Sequence, residues 1–235
     1  MTEEWQARQT MLIGEAKMAK LQNSRVAVIG LGGVGGAVAE GLVRAGVGHL
    51  LFIDGDIVST TNINRQLIAT VETIGMQKVE TAKQRALSIN PVVNIETSFC
   101  TIKQGVDGGL LEFAPHYVVD AIDTISAKLF LVEHCKANKL PLLCCMGTGN
   151  RTMFDGFTIA DISETKGTSC PVARVIRKEL CKRQIENVTV LYNKSPMQST
   201  AVETQNGRHA PGSIAYMPPI AGFMAAGYVI QQLIK

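Results

Sequence analysis

Four glycines, Gly30, Gly32, Gly33 and Gly35, fall in the short run "GLGGVG", and Gly30, Gly32 and Gly35 fit the spacing G-x-G-x-x-G. That spacing serves a backbone that must turn tightly, approach a phosphate closely and pack a helix against a strand. An acid, Asp54, follows after about 20 residues, the distance at which a carboxylate accepts hydrogen bonds from ribose hydroxyls. The next residues depart from what a dinucleotide oxidoreductase needs. "DGDIVSTTNINRQ" adds Asn62, Arg65 and Gln66, and Lys78 opens the segment after it. Pyrophosphate is already held by a glycine loop, so cations beyond the ribose acid imply further phosphate, as in a nucleoside triphosphate. "VVDAID" supplies Asp120 and Asp123, and a carboxylate there can hold Mg²⁺ against phosphate oxygens. The set reads as an ATP and Mg²⁺ site, in which a carboxylate at this strand end can meet the metal and Asp120 is favoured as structural. Asp56 is ambiguous between nucleotide contact and local bonds within its loop.

These residues need elements to carry them. Val26 to Ile29 and His49 to Ile53 are short apolar runs of the kind buried in a parallel sheet, and the glycines open the helix between them. A helix is expected from about Gln77 to Ile89, stopped by "NP", with strands at Val92 to Phe99 and "YVVDAID". A helix from about Ser126 to Asn138 and a strand at "LPLLCCMG" follow. This alternation predicts an α/β fold: a doubly wound, mainly parallel Rossmann-like sheet with helices on both faces. From Gly147 the rhythm changes, and "FTIADI" and "VTVLYN" read as additional strands flanking the basic helix "VARVIRKELCKRQ". The polar run Lys194 to Gly212 reads as a mobile loop, and Met217 to Ile234 as an apolar helix opened by two prolines. One domain over 1–235 is expected, with an N-terminal arm at 1–23, a nucleotide-binding core at 24–146 and a substrate-side elaboration at 147–235.

In order and spacing, the glycine run, "DGD", "NINRQ", the lysine of "GMQKVE" and "DAID" resemble the ATP-adenylating superfamily of ubiquitin-activating enzymes and bacterial activators of sulfur-carrier proteins. "GTGN", "ADISETKGTSCPVARVIRKEL" and "GSIAYMPPIAGFMAAGYVI" narrow the resemblance to the short bacterial tRNA threonylcarbamoyladenosine dehydratases. The resemblance implies adenylation of a carboxylate on a modified tRNA adenosine, then ring closure with loss of AMP. It implies that Gly30, Gly32, Gly33 and Gly35 meet the nucleotide and Asp54 the ribose. Asn62, Arg65 and Lys78 then contact the triphosphate, Gln66 supports the loop, and Asp123 binds Mg²⁺. Arg8, in "ARQ", matches an arginine that reaches into a partner subunit's site, which implies a homodimer. Whether a sulfur-transfer partner takes part is left open.

Composition agrees with an enzyme domain. The 235 residues are 46% hydrophobic, ample for a core, and a net charge of +3 is far from that of a polybasic nucleic-acid binder. "MTEEWQARQT" has no apolar stretch of signal-peptide type, so a cytoplasmic protein is expected. The 217–234 helix is slightly short for a membrane span and is favoured as a core helix over a membrane-associated one. Six cysteines contain no C-x-x-C pair, which disfavours the competing reading as an activator of a ubiquitin-like sulfur carrier. Cys170, in "TSCP", is expected in an exposed loop at a helix entry, and Cys144 and Cys145 as core thiols. An NAD oxidoreductase leaves Arg65, Lys78 and Asp123 unexplained, and a non-catalytic scaffold would have lost members of the set. Arg174, Lys178 and Lys182 share one helix face, which serves equally as a solvated stripe or, given a tRNA substrate, as a phosphate contact.

Overall fold

The computed structural model describes residues 4–198, 203–205 and 208–235. The chain opens with α1 (Ala7–Ile13) and α2 (Glu15–Gln22), then β1 (Arg25–Ile29), α3 (Gly33–Arg44) and β2 (His49–Ile53). Next come α4 (Lys78–Ile89), β3 (Asn94–Ser98), the short α5 (Leu110–Phe113), β4 (Tyr117–Asp120), α6 (Ile125–Ala137) and β5 (Leu142–Cys145). The last part holds β6 (Phe157–Asp161), α7 (Pro171–Lys182), β7 (Thr189–Asn193), β8 (Glu203–Gln205), β9 (Arg208–Ala210) and α8 (Met217–Leu233).

Seven strands form one sheet in the order β3-β2-β1-β4-β5-β7-β6, parallel except for β6, which runs antiparallel to β7 at the edge. The apolar strands lack polar alternation because both sheet faces are covered. Val26, Val28, Leu50 and Phe52 pack towards α3, α4 and α8, while Ala27, Ile29, Leu51 and Ile53 pack towards α5 and α6. α7 extends the second layer, burying Ala173, Ile176 and Leu180 against Val132, Cys144 and Val190. A fully buried leucine, isoleucine or phenylalanine contributes roughly 1.5–3 kcal/mol, so these layers fix the strand ends firmly. α8 lies close on α3: a Cβ at Gly222 would overlap the Val34 carbonyl oxygen and the Ala37 side chain.

Two expectations are corrected. The strand in "YVVDAID" ends at Asp120, because the Asp120 carboxylate accepts the Ile122 backbone N–H at 3.0 Å and turns the chain off the sheet. The run 194–212 is not loop throughout, since β8 and β9 pair antiparallel within it; the rest of that expectation at 199–202 and 206–207 lies outside the described residues. Among the described residues no helix is long and apolar enough to cross a membrane.

Candidate active site

Strand register builds the site. Ile29 pairs with Ile53 on one side and with Asp120 on the other, so Gly30, Asp54 and Ala121 leave the sheet at one level. β1 lies between β2 and β4 at the point where the strand order reverses, the place where open α/β sheets bind ligands. Gly30 turns there with φ of 86°, and a Cβ on it would stand 2.7 Å from the Ala121 carbonyl oxygen. Gly35 is closer still: its Cβ would overlap the Gly30 carbonyl oxygen, so the first turn of α3 lies flat on the loop. Gly32 caps α3, and the first backbone N–H groups of that helix lack intrahelical acceptors. They form a cradle suited to an anion. Gly33 sits below the Arg65 backbone and Pro218 of α8, which brings a third segment to the same edge.

Asp54 is buried at the tip of β2. Its Oδ2 accepts the Leu31 N–H at 2.6 Å and its Oδ1 the Asp56 N–H at 2.8 Å, so the acid also fastens the glycine loop. Burial pushes its pKa above the ordinary value, against the opposing pull of Lys78 and these two N–H groups. Lys78, at the start of α4, is buried with its ammonium 2.7 Å from Asp56 Oδ2 and 4.0 Å from Asp54 Oδ1. Asp56 is exposed and reaches the cation of the set, so its role is more than local loop bonding.

Asn62 ends a short 3-10 turn, where its Oδ1 accepts the Ser59 N–H at 3.1 Å and its backbone carbonyl accepts the N–H groups of Arg65 and Gln66. Arg65 is half-buried and bonds only its own loop, through the Thr61 carbonyl at 2.8 Å and Asn64 Oδ1 at 2.9 Å; no carboxylate pairs with it among the described residues. Gln66 is buried beside Gly32, and its Oε1 has no partner. Asp123 is exposed three residues beyond β4 and accepts only the Thr124 hydroxyl at 3.2 Å. The fold thus brings Gly30, Gly32, Gly33, Gly35, Asp54, Asn62, Arg65, Gln66, Lys78 and Asp123 to one sheet edge. Arg8 is apart from them in chain order, exposed on α1 with no ion pair among the described residues.

Beneath this edge lies a group that sequence reading missed. Lys128 of α6 is 1% exposed and donates to Asp120 Oδ2 at 3.0 Å and to the Cys145 carbonyl at 2.7 Å. Burial alone would depress its pKa, but the Asp120 carboxylate outweighs it and holds the ammonium above the ordinary lysine value. Asp120 is therefore structural, as expected. Cys144 and Cys145 are buried, and burial raises both thiols, Cys145 to about 12. Cys170 corrects the expectation of exposure: it is 1% exposed as the N-cap of α7, whereas Cys181 is the exposed thiol. Arg174, Lys178 and Lys182 do share the exposed face of α7, with Lys182 paired to Glu179 at 2.7 Å.

This arrangement can cradle a nucleotide's phosphates on backbone N–H groups and place cations around them. The comparisons agree in kind. A tRNA threonylcarbamoyladenosine dehydratase of Bacillus subtilis is 37% identical over 97% of this chain and 94% of its own length. The crystal structure of E. coli tRNA N6-threonylcarbamoyladenosine dehydratase, TcdA, in complex with ATP superposes with a TM-score of 0.87 at 25% identity, covering 99% of this chain and 96% of that one. A molybdopterin-synthase adenylyltransferase of Haemophilus influenzae is also 37% identical, but over only 53% of this chain and 51% of its own. Similarity to the adenylyltransferase stops near half the chain, whereas the family profile described as ThiF runs from residue 6 to residue 235. The chain belongs to the ThiF family.

Proposed function

We propose that this chain is an ATP-dependent tRNA threonylcarbamoyladenosine dehydratase. One observation carries the reading: similarity to the Bacillus subtilis dehydratase extends over 97% of the chain, whereas similarity to the molybdopterin-synthase adenylyltransferase covers 53% of it. The alternative, activation of a ubiquitin-like sulfur carrier, accounts only for the shared half.

The chemistry starts from an ionised carboxylate, a poor acyl donor because oxide is its leaving group. Attack on the α-phosphorus of ATP expels pyrophosphate and leaves a mixed anhydride; an oxygen within the same side chain then attacks the carbonyl, expels AMP and closes a ring. The net change in the tRNA is loss of one water. No general base is needed for the first step, because the carboxylate is already charged at neutral pH. Catalysis is alignment and charge neutralisation. The histidines are dispensable to this scheme: His49, His116 and His134 lie away from the set, and the His209 side chain is outside the described residues.

In this reading the glycine loop and the start of α3 take the phosphates, Asp54 takes the ribose, and Asn62, Arg65 and Lys78 neutralise the triphosphate while Gln66 supports their loop. The donor set suits this ligand: Gly30, Gly33 and Gly35 stand where a Cβ would strike neighbouring atoms, so the loop lies close on the start of α3, whose first backbone N–H groups lack intrahelical acceptors, and Arg65 has no carboxylate partner among the described residues. Asp123, an exposed carboxylate at a strand end, is the residue that would hold Mg²⁺, which when bound neutralises phosphate oxygens. Arg8 serves the partner's site in a homodimer. Residues 24–146 act as the nucleotide-binding core, 147–235 face the tRNA, and 1–23 form the arm that carries Arg8. A cytoplasmic location follows from the tRNA substrate.

The test is mass spectrometry of nucleosides from tRNA incubated with the protein, ATP and Mg²⁺. Threonylcarbamoyladenosine should lose one water only when ATP is present, with AMP formed in step. Unchanged nucleoside under these conditions rejects the reading.

A further inference from the structure

Arg151, in the loop after β5, is 3% exposed, yet its Nε and Nη1 have no hydrogen-bond partner of ordinary geometry among the described residues. Nη2 donates to Ser169 Oγ at 3.0 Å, that hydroxyl in turn donates to the Ser195 carbonyl at 3.3 Å, and the Cys170 thiol lies against the guanidinium. No carboxylate lies within ion-pair distance of the guanidinium among the described residues. Burial pushes its pKa down, with the neighbouring Cys170 opposing, and an arginine remains charged regardless. A buried cation with no counter-ion among the described residues is costly unless an anion joins it, which makes this charge a candidate to receive one.

The surroundings are built for an anion. Ser169 immediately precedes Cys170, the N-cap of the twelve-residue α7, and Pro171 opens the helix. The N–H groups of Val172 and Ala173 in its first turn have no intrahelical acceptor. The loop that carries Arg151 is held on three sides: the Asn150 N–H donates to Gly212 O at 2.7 Å, Gln198 Nε2 to Thr152 Oγ1 at 2.9 Å, and Tyr216 Oη to Thr152 O at 2.8 Å. It also belongs to the nucleotide edge. Asp120 pairs with Cys144, so the loops that carry Asp123 and Arg151 leave the same end of the sheet. On the other side, Asn64, beside Arg65, donates to Ser213 O at 3.0 Å and so ties the phosphate-side loop to the segment that braces Thr152.

We propose that Arg151, with Ser169 and the amino end of α7, binds the carboxylate of the substrate's side chain and presents it to the nucleotide. The inference rests on the proposed function and names the residue that holds the group to be adenylated. A backbone phosphodiester carries sugar on both sides and does not fit a guanidinium buried to this degree. A terminal carboxylate on a flexible arm does. Nε and Nη1 face different flanks of the guanidinium, so one carboxylate oxygen takes a single charge-assisted bond from it and the other oxygen turns to the N–H groups that open α7.

The experiment measures binding, without ATP, of tRNA bearing threonylcarbamoyladenosine and of the same tRNA lacking the modification. The wild type should prefer the modified tRNA by about 10- to 100-fold, the scale of hydrogen bonds to a charged group. Arg151→Gln should bind both alike, at the unmodified level, while ATP still stabilises it thermally as it does the wild type. A preference kept by Arg151→Gln overturns the proposal. Equal weakening towards both tRNAs assigns the residue to backbone phosphate and overturns it too. Cys170→Ala should keep the preference; losing it makes the thiol the counter-ion and again overturns the proposal. If Arg151→Gln fails the ATP check, Ser169→Ala, which unhooks Nη2, is read on the same tRNAs; a smaller loss of preference is expected there, and an unchanged preference overturns the assignment. A wild type that dehydrates tRNA without preferring the modified form overturns this inference alone. One that neither prefers nor dehydrates it rejects the proposed function as well.

Discussion

Replacing Lys128 with methionine tests whether the pair beneath the site is charged and what it holds. The aliphatic stem is retained in volume, so no cavity opens and the loss is electrostatic. Asp120, 0% exposed, would keep one bond, from the Ile122 N–H, and the Cys145 carbonyl would lose its donor. Breaking a buried pair on one side costs about 3–5 kcal/mol, because the remaining charge is stranded in a medium that cannot solvate it. For a domain of this size each kcal/mol lowers Tm by about 2–4 °C, so a fall of roughly 6–20 °C is expected. Adding Asp120→Asn should return part of that loss, since the stranded charge is gone. The pH dependence has a definite sign. The folded pKa of Lys128 is raised, so its contribution is complete below the unfolded lysine value of about 10.4 and disappears only as pH rises through the folded value. Urea denaturation of the wild type and Lys128→Met, without nucleotide, should therefore show a constant gap from about pH 6 to 9. A gap below about 1 kcal/mol, or one that closes within that range, refutes the charged buried pair.

Further outcomes follow from the same contacts. Gly35→Ala puts a methyl group into the Gly30 carbonyl and should abolish thermal stabilisation by ATP; wild-type stabilisation in a folded variant would show that the loop is not the cradle. Glu40 pairs with Arg44 within α3 and joins α3 to α4 through Arg85, each at 2.7 Å; burial opposes its ionisation, but the two arginines override it and hold its pKa low. Glu40→Gln should cost about 1 kcal/mol at pH 7, discounted because both arginines are partly exposed; the gap should persist to the ordinary glutamate pKa of about 4.3 and close as pH falls further. A gap that widens in acid contradicts this. Mixing inactive Arg8→Ala with inactive Asp123→Asn and allowing subunit exchange should restore about a quarter of wild-type sites if Arg8 acts across a two-fold dimer. No recovery despite verified exchange rejects that assignment. Changing Arg174, Lys178 and Lys182 together to Gln should lower the salt slope of tRNA binding by roughly 2 rather than 3, because Lys182 is already engaged by Glu179; an unchanged slope makes the stripe a solvated face.

The nucleotide half was legible because its chemistry is carried by backbone and by local order. β2 falls at His49–Ile53 as read from its apolar run, β1 begins one residue before Val26, and α4 begins at Lys78 rather than Gln77. Positions that demand glycine are visible in sequence because no other residue can occupy them. The C-terminal half was harder for a topological reason. β7 inserts between β5 and β6, so strands adjacent in sequence are not adjacent in the sheet, and their apolar patterns say nothing of that order. β8 and β9 have three residues each, too short to register as strands in the polar run around them.

Buried charge was the least legible feature, and the reason is physical. Lys128 sits in "ISAKLFLVEHCKA", where periodicity places a lysine without saying what faces it, and its partner Asp120 is eight residues away across a strand end. Arg151 follows "GTGN" in what reads as an ordinary turn, and it is buried only once the entry to α7 and the segments around Gln198 and Tyr216 close on its loop. Burial of a charge is a property of the assembled layers, whereas the side chain that bears it looks the same at a surface. The signal available beforehand is indirect. Asp120 and Asp123 stand at one strand end, and if one reaches solvent and the other lies within the sheet, the inner carboxylate requires a buried cation. That reasoning would have led from "DAID" to the next lysine along α6. Arg151 offers no such lead, because no acid pairs with it among the described residues, and a cation of that kind becomes visible only when its unfilled donors are counted.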